Sequence, residues 1–192
     1  MVLTTLALAM TLNVAAIEES SLVCPIMGSK VSEKSPAVEY AGIRVAFCCG
    51  GCDGAFAKDP AASFKKNAKE EKMVGEFLFD PVTGLKIDTK KAKFSSDYMA
   101  VRYYFASEEN KAMFEKNAKK YTATPKKEHL QCSVEGCEVA TYSESSGYAD
   151  YNGVRYFAGC EGCVGKLQAD PAKYAADTGL SEPKAIPVKK KD

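Results

Sequence analysis

Eight cysteines supply most of the chemistry that this sequence of 192 residues could perform. They form two groups of four, and in each group an early cysteine is followed by a closely spaced pair beside glycines, with Cys48 or Cys137 as the fourth thiol. The pair lies at the expected start of a helix, whose partial positive charge lowers a thiol pKa. Thiolates bind Zn²⁺ tetrahedrally and also suit Cu(I). The groups are Cys24, Cys48, Cys49 and Cys52, and Cys132, Cys137, Cys160 and Cys163.

The single histidine confines any metal site to thiolate chemistry. His129 cannot by itself build a His-rich zinc site or an HExxH motif. It lies in a charged stretch before Cys132, so we predict a solvated linker residue, with a ligand role as the alternative. The sequence also lacks Walker loops, Rossmann glycine runs and nucleophile elbows. We therefore expect no catalytic residues and no organic cofactor.

Three kinds of thiol chemistry remain open from the residues alone. Free thiolates bind metals, an even number of thiols in each group permits structural disulfides, and a Cys-x-x-Cys pair permits thiol–disulfide exchange. Three thiol positions are common to both groups, which favours metal ligands over a framework of pairs. Cys48 and Cys49 are consecutive and can hardly both reach one ion without strain. Met27 is a candidate soft ligand near Cys24, with core packing as the alternative.

Both cysteine groups lie within a pattern that repeats three times along the chain. Gly42–Cys52 reappears at Gly153–Cys163 with its glycine, arginine and two cysteines in place, and Val101–Asn110 keeps the frame without any cysteine. Each unit is about 45–50 residues long, a size that often needs a metal, a staple or a packed neighbour. The corresponding openings are Cys24–Gly28, Asp80–Gly84 and Cys132–Cys137.

The elements that must position the cysteines follow from hydrophobic periodicity and turn residues. Alternation over residues 38–47 predicts a β-hairpin, and Asn152-Gly153 is a strong hairpin signal. Asp59-Pro60 ends the helix after the first cysteine pair and begins a second one. The sequence thus predicts an α+β fold, a tandem array of three small units, each a β-hairpin followed by one or two short helices.

Other segments of the chain are predicted from charge and composition. The charged stretches 70–76 and 122–128 are expected to be loop-like linkers, and the Pro- and Lys-containing tail is expected to be disordered. One arginine recurs in every unit, including the unit without thiols, which predicts a salt bridge or a packing role. These arginines are Arg44, Arg102 and Arg155.

The N-terminus and the overall charge bear on compartment and partners. Met1–Ile17 is uncharged and apolar, and Val14-Ala15-Ala16 precedes a plausible cleavage point, although no basic residue comes first. We expect a signal peptide and a periplasmic or secreted protein, with a buried N-terminal helix as the alternative. A net charge of +1 gives no case for nucleic acid, and no apolar run predicts a membrane span in the mature chain.

The chain resembles the TRASH/YHS group of small metal-associated domains. The consensus of that group combines a Cys/Asp-Pro opening, a hairpin, an aromatic residue before a cysteine pair, and a later Asn/Asp-Pro. Cys24–Gly28, Phe47–Cys52 and Asp59-Pro60 match it in the first unit, and Asp80–Gly84 and Tyr104-Phe105 match it in the second. The resemblance implies heavy-metal sensing, trafficking or resistance, by a binding module with a treble-clef or zinc-ribbon layout, and allows a protein partner in metal handling.

Some residues depart from the pattern of this group. Met27 stands where the group often has a second cysteine, the pair Cys160–Cys163 is one residue tighter than Cys48–Cys52, and Cys137 lies two positions past the expected place. The second unit has no thiol, and we interpret it as a metal-free repeat kept for packing.

The sequence therefore predicts a non-catalytic, exported protein that binds zinc or copper through its thiolates. An open three-thiolate first site would favour copper handling, and a closed four-thiolate third site would favour zinc. The alternatives are a disulfide-stapled interaction protein and a thiol–disulfide oxidoreductase. The predicted regions are a signal peptide at 1–16, units at 22–72, 78–122 and 130–176, and a disordered tail at 177–192.

Overall fold

The computed structural model describes residues 22–188, which fold as an α+β protein. The signal peptide predicted at 1–16 and the lysine cluster at 189–191 lie outside the described residues. In the described part, no helix has the length and apolar character needed to cross a membrane. The strands are β1 (Ala37–Tyr40), β2 (Ile43–Ala46), β3 (Gly75–Phe77), β4 (Phe94–Tyr98), β5 (Val101–Phe105), β6 (Lys127–His129), β7 (Gly147–Tyr151), β8 (Val154–Ala158) and β9 (Ile186–Pro187). The helices are α1 (Cys52–Lys58), α2 (Pro60–Lys69), α3 (Glu108–Lys116), α4 (Ala118–Tyr121) and α5 (Glu161–Ala169), with a 3₁₀ turn at Tyr142–Glu144.

We use first, second and third segment for residues 22–72, 78–122 and 130–176. Each contains a hairpin followed by a helix: β1–β2 and α1, β4–β5 and α3, and β7–β8 and α5. The predicted Asn-Gly hairpin is confirmed, since Asn152 and Gly153 have φ of 49° and 77°. Two successive positive φ values give the turn that matches strand twist. Met99 and Ala100 adopt the same conformation without glycine, with φ of 51° and 67°.

The break between two helices in the first segment follows the predicted Asp-Pro signal. α1 ends before Asp59, whose side chain accepts a hydrogen bond from the Ala62 N–H at 2.9 Å, and Pro60 opens α2. Asn117 performs the same capping between α3 and α4. A capping side chain satisfies a helix N–H that has no partner within the helix, so these residues fix where the second helix starts.

The segments combine into two sheets. A six-stranded sheet in the order β4-β5-β3-β2-β1-β9 joins the hairpins of the first two segments, and a three-stranded sheet has the order β6-β8-β7. The prediction that 70–76 and 122–128 are loop-like linkers is wrong at the end of each stretch, where β3 and β6 begin. β3 pairs antiparallel with β2 and parallel with β5, and β6 pairs parallel with β8. Pairing with neighbouring strands overrides the weak local preference of these charged stretches for a loop conformation.

The prediction of a disordered tail is also wrong within the described residues. β9 pairs with the free side of β1 at Val38 and Glu39, and Ser181 bridges to Glu128. An edge strand exposes unpaired N–H and C=O groups, and the tail covers part of that edge. The sequence did not reveal this pairing, because proline and lysine are typical of disordered segments and the partner strand β1 is distant in sequence.

Aromatic side chains join the segments into a shared core. The Phe79 ring of the second segment lies 5.4 Å from Tyr148 and 5.9 Å from Phe157 of the third, measured between ring centroids. Contacts between aromatic rings stabilise a fold by more than the burial of each ring alone. The first segment has its own aromatic cluster, in which Phe56 lies 5.7 Å from Phe47 and 5.6 Å from Phe64.

The recurring arginines differ in their partners. Arg102 and Arg155 each hold the carboxylate opposite them on the hairpin, Asp97 and Asp150, through paired hydrogen bonds of 2.7–2.9 Å. The predicted salt bridge is confirmed for these two. Arg44 stands opposite Glu39 in the same register, yet the buried Glu39 instead accepts a hydrogen bond from the Ser143 N–H of the third segment.

Candidate metal centres

The early cysteine of each group lies in a tight turn closed by its own backbone. The N–H of Gly28 donates to the Cys24 carbonyl at 2.8 Å, and the N–H of Cys24 donates to the Ser29 carbonyl at 2.8 Å. Gly28 has a φ of 70°, a conformation that glycine adopts without strain. Cys132 and Gly136 form the same turn in the third segment. The turn directs the N–H groups that follow toward the sulfur.

Three backbone N–H groups stabilise the Cys24 thiolate. Burial raises the pKa of this thiol, but hydrogen bonds from the N–H groups of Cys48, Met27 and Ile26, and from the Cys48 thiol, outweigh it. The net pKa is lower than the ordinary value of a cysteine. Because the thiolate is the form that binds a metal, the fold prepares Cys24 as a ligand.

Cys132 has the same environment in the third segment. Burial raises the pKa of its thiol, and hydrogen bonds from the N–H groups of Gly159, Glu135 and Val134 and from the Cys163 thiol lower it below the ordinary value. Both Cys24 and Cys132 are fully buried. Each group therefore contains one buried thiol whose pKa is lowered by hydrogen bonds from the backbone.

Two further thiols of the first group lie at coordination distance from Cys24. The sulfurs of Cys24, Cys48 and Cys52 are all within 4.8 Å of one another. The Cys49 sulfur lies outside that set, 3.7 Å from Cys48 and 3.4 Å from Cys52. Around a tetrahedral zinc with Zn–S of ~2.3 Å, neighbouring sulfurs lie about 3.8 Å apart. The spacing therefore suits a thiolate-bound ion.

The partners of the buried thiolate hold their protons more tightly. A hydrogen bond with Cys49, followed by burial and by the hydrogen bond with Cys24, raises the pKa of Cys52 to about 12. Burial and the neighbouring Cys24 raise the pKa of Cys48. Cys24 is therefore the thiol of this group that ionises first, and an ion that binds the other two must displace their protons.

The third group contains a donor that the sequence reasoning missed. The carboxylate of Glu135 and the sulfurs of Cys160 and Cys163 lie within 4.8 Å of one another. Cys132 is hydrogen-bonded to Cys163, and Cys137 to Cys132. Glu135 stands three residues after Cys132, the position of Met27 in the first segment, so comparison of the two openings could have identified it.

Two further predictions concern Met27 and His129. The Met27 side chain is 65% exposed, which contradicts core packing, and its N–H group donates to Cys24. His129 is 4% exposed, so the prediction of a solvated residue is wrong. Its Nδ1 lies 3.1 Å from the Ser133 hydroxyl, and burial lowers its pKa. Its burial follows from β6 pairing with β8, which the sequence did not reveal.

The second segment builds the same turn around a carboxylate. The N–H groups of Val82 and Ala106 each donate to Asp80 at 2.9 Å, and that of Thr83 donates at 3.3 Å. The amide of Asn110 donates to Asp80 Oδ2 at 2.7 Å. Asp80 and Asn110 take the positions of Cys24 and Cys52, so this segment satisfies its turn without a thiol.

Comparison with known families identifies this second segment. Residues 78–124 form a YHS domain. One copy is matched, and it is the segment that has hydrogen bonds where the other two have thiols. No curated protein and no solved structure matches the chain. The YHS domain and the two cysteine groups together support a metal-associated protein.

Proposed function

We propose that the protein is a non-catalytic metal-binding protein that holds a thiophilic ion, Zn²⁺ or Cu⁺, on each of its two cysteine groups. The observation that supports this proposal most is the buried thiol of Cys24, which has two further sulfurs within 4.8 Å and a pKa that three N–H groups lower. Three thiolates at this distance bind soft or borderline ions far better than hard ones. The YHS domain at 78–124 agrees with a metal-associated role.

The two groups are proposed to serve different ions or different exchange rates. The first group, with Cys48 and Cys49 adjacent, suits a three-coordinate Cu⁺ that can be passed to a partner. The third group, with Cys132, Cys137, Cys160 and Cys163, suits a closed zinc site. Such a protein would serve metal sensing, trafficking or resistance in the periplasm or outside the cell, as the N-terminal sequence predicts.

Thiol titration combined with elemental analysis tests the proposal on protein isolated from its native compartment. We expect eight reactive thiols after metal removal and up to two bound ions per chain before it. Full-length protein refolded in chelator and then titrated with Zn²⁺ or Cu⁺ should regain those ions. A chain with no free thiol and no bound ion would contradict the proposal. An expressed variant in which all eight cysteines are serine serves as the control.

A disulfide-stapled interaction protein is the second candidate, because the Cys49 and Cys52 sulfurs are only 3.4 Å apart. Small local changes would bring these sulfurs to the bonding distance of about 2.05 Å. The same titration distinguishes the candidates, since a stapled protein has no reactive thiol before reduction. A thiol oxidoreductase would also need a strongly oxidising potential for one pair, and a potential below about −300 mV would exclude that use.

A further inference from the structure

A cavity of about 720 Å³ lies over strands β2, β3, β4 and β5 of the six-stranded sheet. The chain before β1 forms one wall, and the loop between β3 and β4 forms the other. The eight cysteines all lie outside its lining. A cavity of this size, with apolar walls and a few placed polar groups, is typical of a small-molecule site. The apolar residues of the lining are Leu22, Val31, Ala46, Leu78 and Ala92.

Most charged side chains of this cavity have partners within the protein. Arg102 is held by the carboxylate opposite it on its hairpin. Glu76 accepts a hydrogen bond from the Tyr104 hydroxyl at 2.5 Å. Lys90 and Glu33 form an ion pair of 2.9 Å that joins the two walls, with side-chain exposures of 70% and 77%. An exposed ion pair contributes little to stability, so this pair is a small barrier to a ligand that enters between the walls.

Arg44 is the charged residue of the lining whose donors remain available. The equivalent arginines of the other two segments each bind the carboxylate opposite them. Glu39 stands opposite Arg44 but accepts a hydrogen bond from the Ser143 N–H instead. Within residues 22–188, no hydrogen bond or ion pair engages the half-buried Arg44 side chain. A guanidinium has five N–H donors in a fixed fork, and Arg44 can offer them to a ligand in the cavity.

We propose that this cavity binds a small organic monocarboxylate with an apolar body, held by two parallel hydrogen bonds from the Arg44 guanidinium. The planar fork of an arginine matches the two oxygens of a carboxylate. Ala46 follows Arg44 by two residues on the same strand, so its side chain lies on the same face and lines the same cavity. Ala46 and Leu78 thus provide apolar surface for the body of the ligand.

The charges of the lining favour one negative charge on the ligand. Arg44 supplies one positive charge without a partner among the described residues, while Glu33 and Glu76 place two carboxylates in the same lining. A monoanion satisfies Arg44, whereas a dianion such as phosphate would meet stronger repulsion from the two carboxylates. Because the cysteines lie outside the cavity, this inference goes beyond the proposed metal binding and does not depend on it.

Titration of the full-length chain with isocaproate, followed by amide chemical shifts in NMR spectra, tests the inference. Isoamylamine has the same apolar body with an amine in place of the carboxylate, and inorganic phosphate is an anion without an apolar body. We expect saturable shifts at the amides of β2 and β3 with isocaproate, and much weaker binding of the other two probes. Absence of saturable shifts with isocaproate, or equally tight binding of isoamylamine or phosphate, would overturn the inference.

Substitution of Arg44 tests its role directly. We expect Arg44→Gln to weaken isocaproate binding by about tenfold or more, since hydrogen bonds to a charged group are lost. Arg44→Lys should give a smaller loss, because an ammonium keeps the charge but not the fork. Lys91→Gln is the charge-matched control, since Lys91 is 85% exposed on the adjacent loop and lies outside the lining. Unchanged affinity in a folded Arg44→Gln chain, verified by circular dichroism, would overturn the proposal.

A second variant tests the apolar part of the site and keeps every charge. Ala46→Leu adds bulk inside the cavity on a strand that accepts branched side chains. We expect it to weaken isocaproate binding several-fold, and an unchanged affinity would contradict the placement of the apolar body. Bound metal per chain is measured in the same samples and should be equal in Arg44→Gln and the unmutated chain. Isolated protein without any metal would therefore reject the proposed function, while the isocaproate titration still decides this inference.

Discussion

In all three segments, N–H groups at three equivalent positions donate to one side chain, but the accepting side chain differs between the second segment and the two cysteine-bearing segments. In the second segment they donate to the Asp80 carboxylate, and in the others they donate to the sulfur of Cys24 or Cys132. A carboxylate is ionised at neutral pH, whereas a thiol must be deprotonated by its surroundings. Each turn thus supplies a buried acceptor for three donors, and in the first and third segments that acceptor is a sulfur, an atom that a soft metal ion can bind.

The correspondence between the second and third segments extends to the start of the helix that follows each hairpin. Ser107 accepts a hydrogen bond from the Asn110 N–H through its hydroxyl at 3.2 Å, and the sulfur of Cys160 accepts one from the Cys163 N–H at 3.2 Å. Each side chain caps its helix. The YHS domain of the second segment thus keeps the positions of a thiol site and fills them with oxygen and nitrogen atoms.

Replacing Asp80 with alanine should have the largest effect on stability. Three N–H groups and the Asn110 amide would lose their buried acceptor, and Asp80 is only 1% exposed. We expect a loss of ~3 kcal/mol in the free energy of unfolding, measured with urea. Glu115→Ala, at an exposed ion pair of the same segment, should change it by less than about 0.5 kcal/mol. A comparably small effect of Asp80→Ala would show that the turn does not depend on its acceptor.

Removing metal should destabilise the cysteine-bearing segments but leave the second segment unchanged. Zn²⁺ at one hundred times its dissociation constant stabilises a folded site by about 2.7 kcal/mol, and a chelator removes this increment. Hydrogen exchange would detect it at the N–H groups of Cys48 and Gly159, with the Ala106 N–H as the internal control. Equal deprotection of all three groups would contradict a difference between the segments. The double variant Cys24→Ser with Cys132→Ser should abolish the metal-dependent difference in hydrogen exchange.

In metal-free protein, Cys24→Ala should cost less than Asp80→Ala. Sulfur is a weaker acceptor than a carboxylate, so we expect a loss of about 1–2 kcal/mol from the unsatisfied N–H groups and the small cavity. Cys49→Ala is the matched control, because Cys49 is exposed. Urea unfolding in the presence of a chelator ranks the three variants. A larger loss for Cys24→Ala than for Asp80→Ala would reverse the comparison.

The smallest expected effect is a pH dependence of metal-free stability. The pKa values of Cys24 and Cys132 are lowered in the folded state, so the folded chain binds fewer protons than the unfolded chain just below pH ~9. Their contribution is present above that pH and is lost as the pH falls through the folded pKa. We expect Cys24 and Cys132 to make stability rise with pH in this window, whereas Cys48, Cys52, Cys137 and Cys163, whose pKa values are raised in the folded state, make it fall as the pH passes their unfolded pKa. Thermal unfolding in chelator measures the sum, and the difference between the unmutated chain and the variant below isolates the first contribution. The slope should become less positive in Cys24→Ala with Cys132→Ala, and an unchanged slope would contradict this assignment.

Local signals predicted much of the fold and the two cysteine groups in which the metal ligands are proposed to lie. The Asn152-Gly153 turn and the Asp59 cap depend on neighbouring residues only, so their spacing sufficed. Glu135 and the burial of His129 could not be found in this way, because they depend on contacts between elements distant in sequence. The charged linkers were misjudged for the same reason.

The sequence by itself determined which side chains could bind a soft ion: two groups of four thiols, one thiol-free segment, and a single histidine. Only the tertiary structure decided which thiol is buried against three N–H groups and is therefore ionised most readily. It also decided that the Cys137 sulfur fills the space beside Gly159, and that β3 and β9 complete a sheet around the first hairpin. The physical reason is that residue type fixes the donor chemistry, whereas pKa, donor distance and strand pairing depend on atoms that folding brings together.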